Sequence, residues 1–161
     1  MKSNTPCPPG YDEVETLKLL DGVIDIYMPD FKFWDPSVAR RTCQAPDYPE
    51  VARKAVVEMH RQVGDLALDT GGIAVSGLLL RHLVLPCDLA GTGRVMKYIA
   101  ENVSTNTYVN IMSQYRPCGR AAEVQALTRS VNADEYAQAV ELARKAGLTR
   151  LDRPKRVFML F

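Results

Sequence analysis

Apolar residues in this chain recur at two spacings, and the spacings sort it into helices and strands. Over residues 47–63, Ala52, Ala55, Val56, Met59 and Val63 share one helical face. Asp47 and Glu50 have capping-box spacing ahead of that run, and Gly64 ends it. A second such pair, Asn132 and Glu135, opens a helix predicted to reach Ala146. Tyr136, Ala139, Val140 and Ala143 face inward there, and Gly147 is the stop. Residues 92–103 read as a helix with Val95, Met96, Ile99 and Val103 inward. Shorter helices are expected over 11–20, with acids early and Lys18 late, and over 36–45, with Asp35 as N-cap and Pro36 in the first turn.

Strands are expected over 23–28 (VIDIYM), 78–85 (LLLRHLVL) and 108–112 (YVNIM), with a hairpin over 66–75 around Thr70-Gly71-Gly72. The 78–85 run is apolar on both faces apart from Arg81 and His82, as expected of a parallel strand covered on both sides. Residues 1–10 and 116–131 read as irregular, and 157–161 as a final strand or docked tail. Strands alternating with helices imply α/β architecture built from parallel βα units.

Composition narrows the function classes. The 161 residues suit one domain, with 47% hydrophobic and 24% charged residues, so a folded core is expected. Lys plus Arg number 20 against 19 Asp plus Glu, which gives no global attraction to nucleic acid or membrane. The uncharged stretch 70–80 is about half the length a bilayer span needs. The first residues have no apolar signal-peptide core, so the cytoplasm is the expected location. The four cysteines, Cys7, Cys43, Cys87 and Cys118, are scattered. With no CxxC or CxxxCxxC spacing, no local metal or cluster site is expected.

Ligands in parallel α/β folds gather at the carboxyl ends of strands. Asp30 and Lys32 follow the first strand two residues apart, so an extended backbone puts them on one face. A carboxylate and an ammonium there suit an amino-acid-like ligand, or simply form a surface ion pair. Arg81 interrupts an apolar strand, so it either snorkels outward or faces a cavity that holds an anion. His82 points to the opposite face and reads as a packed histidine. Ser113-Gln114-Tyr115-Arg116 supplies polar side chains at a third strand end. Gly91-Thr92-Gly93 offers amides to a phosphate only weakly. The basic residues near the end, Arg144 to Arg156, read as a solvated helix face and tail.

Four strings, LKLLDGVIDIYMPDFKFWDPSVARR, PEVARKAVVEMHRQVGDL, GLLLRHLVLP and TYVNIMSQYRP, resemble in order and spacing the radical S-adenosylmethionine proteins similar to the pyruvate formate-lyase activating enzyme. The resemblance runs from Tyr11 to about Leu151. It implies a partial (β/α)6 barrel of the TIM type. It also implies a [4Fe-4S] cluster on a CxxxCxxC loop, and reductive cleavage of S-adenosylmethionine to a 5′-deoxyadenosyl radical that abstracts hydrogen, often from a glycine of a protein substrate. The CxxxCxxC loop and the glycine-rich segment that holds the methionine amino group are missing from this sequence.

The chain therefore reads as the C-terminal half of such a barrel: an irregular segment, 1–10, and a half-barrel domain, 11–161, with strands four to six. Carried over residue by residue, Met28, Asp30 and Lys32 match the fourth-strand motif beside the S-adenosylmethionine carboxylate. Arg81 matches the fifth-strand arginine, and Gln114 and Tyr115 stand where the sixth strand presents a cofactor-side residue, commonly a histidine that is missing here. No cluster role falls to Cys87. The chain alone is expected to bind neither cofactor tightly and to be inactive. The partners implied are the N-terminal half, or a second copy meeting the exposed first strand. Two other readings stand beside this one: a non-catalytic binding or complementation module, and an unrelated α/β enzyme using Asp30 and Lys32.

Overall fold

The computed structural model describes residues 11–152. The expectations for residues 1–10, Cys7 and 157–161 lie outside that range. In chain order the elements are α1 (Val14–Lys18), β1 (Ile26–Tyr27), α2 (Pro36–Cys43), α3 (Tyr48–Val63), β2 (Ala67–Leu68), β3 (Ala74–Leu83), α4 (Thr92–Asn102), β4 (Tyr108–Met112) and α5 (Ala133–Lys145). The class is mixed α/β, with an open and mainly parallel four-stranded sheet.

β3 is the hub of the sheet. β1 pairs with it in parallel, Ile26 opposite Gly77 and Tyr27 opposite Leu78, and the register continues to a bridge between Asp30 and Arg81. On the other edge the β2 hairpin pairs antiparallel with the start of β3, and β4 pairs in parallel with its second half. Alternating hydrogen bonds fix this arrangement: Gly77 and Arg81 donate towards β1, whereas Leu78 and Val84 donate to Gly64 and Met112 on the far side. The outer edge of β4 holds a further parallel bridge, Val109 to Leu151. The parallel strands thus lie side by side in sequence order, with a helix between each pair.

The second arm of the hairpin and the strand expected over 78–85 form one continuous β3, ten residues long, where two separate runs were expected. Gly77 makes this possible. Its φ is +106°, and a Cβ there would collide with the backbone of Asp65 and Leu66. β1 is shorter than the six residues expected. Pro29 lacks an N–H, and β1 has a partner on one side only among the described residues.

The two capping pairs behave differently. Asn132 is extended (ψ 171°), accepts from the Glu135 N–H, and the reciprocal bond is present. Asp47 sits in the helical region (ψ −10°), so its carboxylate makes no cap, and Glu50 pairs with Lys54 instead. Segment 116–131, expected to be irregular, contains two short 3₁₀ turns, Gly119–Glu123 and Gln125–Thr128.

The core lies between the sheet and one layer of helices. Leu78, Leu80, Val84 and Val109 face Ala52, Ala55, Val56, Val95, Met96 and Ile99, all buried. At about 25 cal/mol per Å² of apolar surface this layer carries most of the stability. Neighbouring helices touch within the layer: the Tyr98 hydroxyl of α4 donates to the Arg53 carbonyl of α3, and Gly93 of α4 lies against Leu142 of α5. The expectation of a strand covered on both sides is corrected here. Leu79 and Arg81 on the other face of β3 remain partly exposed, with no described helix over them, and the end of that face, at Leu83, lies under Val124 and Leu127 of the 3₁₀ segment.

Candidate functional site

The open face of the sheet carries the candidate site. Parallel register puts Asp30 beside Arg81, and Arg81 beside Asn110 of β4. Arg81 Nε donates to Asp30 Oδ1 at 2.6 Å, and Lys32 Nζ lies 3.3 Å from Asp30 Oδ2. Asp30 is only 5% exposed, whereas the Arg81 and Lys32 side chains keep 30% and 25% of their surface. A buried carboxylate is thus clamped by two half-solvated cations, and the triad carries one net positive charge. The clamp lies where the chain leaves β1 and near the carboxyl end of β3.

The backbone around Asp30 is held from the helix side. The Tyr48 hydroxyl at the start of α3 donates to the Asp30 carbonyl at 2.8 Å and accepts from the Lys32 N–H at 3.0 Å. Burial raises the Tyr48 pKa above its usual value, so the phenol keeps its proton. Phe31 points into the core against Trp34 and Tyr98. Its carbonyl lies 2.6 Å from Nδ1 of the fully buried His82, whose Nε2 lies 2.9 Å from the Thr92 hydroxyl. A carbonyl only accepts, so Nδ1 bears the proton and Nε2 accepts from Thr92. Burial holds the His82 pKa below 6.5, and the imidazole is neutral. His82 is therefore the packed histidine expected, and it fixes the turn that presents Asp30 and Lys32.

The remaining predicted residues divide. Met28 lies on the same side as Asp30 by alternation and is 54% exposed. Tyr115 is partly buried and donates from its hydroxyl to the Leu127 carbonyl at 2.9 Å. Together with Lys32 it lines a cavity of about 220 Å³. Gln114 is exposed and does not line that cavity. Two of the Gly91-Thr92-Gly93 amides are not free for a phosphate: Asp88 accepts from the N–H groups of Gly91 and Thr92 through its own carbonyl and carboxylate. Cys87 borders a smaller cavity of about 120 Å³, and its N–H donates to Glu135.

Sequence reasoning missed Tyr48, Arg41 and Leu127. Tyr48 looked like one more residue at a helix start, and its role depends on a contact eighteen residues away in sequence. Arg41 and Leu127 belong to the cavity, which forms only when α2 and the second 3₁₀ turn meet over β3. As for metal, the described residues contain no group of three or more His, Cys, Asp or Glu side chains able to hold an ion. No described helix is long and apolar enough to cross a membrane.

Comparison with known proteins adds one relative. The chain is 32% identical over 139 residues to an uncharacterized protein of Methanocaldococcus jannaschii. The match covers 86% of this chain but only 37% of that protein, so the chain spans little more than a third of its relative's length. No protein-family model matches the chain, and no solved structure matches it.

Proposed function

We propose that this chain is the C-terminal half of the barrel of a radical S-adenosylmethionine protein resembling the pyruvate formate-lyase activating enzyme. The observation that carries the reading is the buried Asp30 carboxylate clamped by Arg81 and Lys32 on an open sheet face. Sequential order of the parallel strands supports it, since a barrel closes neighbour on neighbour. One helical layer, with an opposite face left partly exposed at Leu79 and Arg81, also fits a sheet whose inner surface is completed elsewhere. The excess length of the archaeal relative leaves room for the other half.

The donor set suits the amino-acid end of S-adenosylmethionine. Asp30 can accept from its ammonium, and Arg81 and Lys32 can hold its carboxylate. When bound, the sulfonium supplies a carbon–sulfur bond for reductive cleavage. The donor set does not suit the iron–sulfur cluster: the sequence has no CxxxCxxC, and no step through a cluster is assigned to these residues. The parent is a cytoplasmic activase-like protein in this reading, and its substrate is a protein. The open edge of β1 meets the N-terminal half, or a second copy when that half is missing.

Anaerobic reconstitution with iron and sulfide tests this. The archaeal relative should gain cluster absorbance and form 5′-deoxyadenosine from S-adenosylmethionine, whereas this chain alone should do neither. A relative that forms no cluster, or turnover by this chain alone, would overturn the proposal.

A further inference from the structure

Beside the Asp30 clamp lies a cavity that shares Lys32 and Tyr115 with the S-adenosylmethionine reading and otherwise extends beyond it. It is floored by Leu83 at the end of β3 and Leu85 just beyond it, and roofed by Val124 and Leu127 from the 3₁₀ segment. The roof is tied down by the Tyr115 hydroxyl, which donates to the Leu127 carbonyl. Phe33 closes one side. At about 220 Å³ the space is smaller than a drug-sized site.

Its charge is one-sided. Lys32 and Arg41 line it, and among the described residues no carboxylate does. Lys32 shares Asp30 with Arg81, so that aspartate offsets only one of the two cations. Arg41 is exposed and has no ion pair among the described residues. Apolar walls with two cations at the rim fit a ligand that is greasy at one end and anionic at the other. A phosphate or other small polyanion would leave the apolar walls unused, and a neutral apolar molecule would leave the net positive charge of the rim unmatched.

We propose that this cavity binds a small-molecule carboxylate with a compact apolar body, its carboxylate held by Lys32 and Arg41 and its body packed against Phe33, Leu83 and Leu127. The inference shares Lys32 with the S-adenosylmethionine reading but does not rest on it, because it concerns residues of this chain alone and needs no second half.

The test is titration calorimetry of the full chain with phenylacetate, its neutral analogue phenylacetamide, and acetate. Phenylacetate should bind at least about tenfold more tightly than either control, the value of one charge-assisted contact or of the buried ring. Arg41→Gln, at an exposed position with no structural bond, should weaken phenylacetate about tenfold while leaving the far-ultraviolet spectrum unchanged. Lys32→Met should do the same, and binding should shift the amide signals of Phe33, Leu83 and Leu127. No phenylacetate binding at millimolar concentration, equal binding of acid and amide, or affinity untouched by Arg41→Gln would overturn the assignment. None of these outcomes bears on 5′-deoxyadenosine formation, so the two proposals fail separately.

Discussion

The two faces of β3 are built from alternate residues of one strand, yet they obey different rules. On the helix side Leu78, Leu80 and His82 are buried, and the only polar group among them is neutral with both ring nitrogens engaged. On the open side Leu79, Arg81 and Leu83 stay partly exposed, and the one polar member, Arg81, holds charge. Period two puts each residue on its face, but among the described residues only the first face has a helical layer to pack against, and the second meets the 3₁₀ segment near Leu83. A helix-covered face keeps its polar atoms satisfied because burial makes any lapse costly. The open face can keep a clamp of charges because solvent still reaches the cations.

That contrast predicts unequal responses to substitution. Leu80→Ala should cost about 2–5 kcal/mol in urea unfolding, since it leaves a cavity in a layer with no slack. Leu79→Ala, one residue away on the other face, should cost no more than about 1 kcal/mol. Equal losses would mean that the open face is covered as well as the closed one. Asp30→Asn comes next, at about 1–2 kcal/mol. A fully buried pair loses more when broken, but here Arg81 and Lys32 retain solvent contact.

The smallest effect concerns acid and the closed face. His82 titrates below 6.5 in the folded chain, so on acidification the unfolded chain takes up a proton that the native state refuses. Stability from this group is present above that ordinary value and is lost as pH falls beneath it, at no more than about 1.4 kcal/mol per pH unit. Unfolding midpoints between about pH 8 and pH 5 should show the slope in the native chain and lose it in His82→Leu. A slope unchanged by the substitution would place the titrating group elsewhere.

What the sequence could reveal depended on the range of the cause. The helix faces, the β4 strand and the Asn132–Glu135 cap follow from neighbours within a turn or two, and they appear where the pattern put them. The same capping spacing failed at Asp47 because the backbone of the cap residue, not its spacing, decides where the carboxylate points. The shared face of Asp30 and Lys32 was legible from their two-residue separation. Their meeting with Arg81 was not, because it rests on the β1–β3 register fifty-one residues apart. The cavity was illegible for a similar reason: its roof comes from a stretch with no periodicity of its own.

Both faces converge on the edge of β1. Phe31 donates to Arg81 and Arg81 to Pro29, so alternation turns the amides of Ile26 and Met28 away from β3, where no described strand meets them. Amide hydrogen exchange resolved by residue reads this directly. In dilute solution Met28 should exchange several orders of magnitude faster than Leu80, and protection at Met28 should rise as the chain is concentrated or given the complementary half. A dilute monomer in which Met28 is as protected as Leu80 would contradict the account.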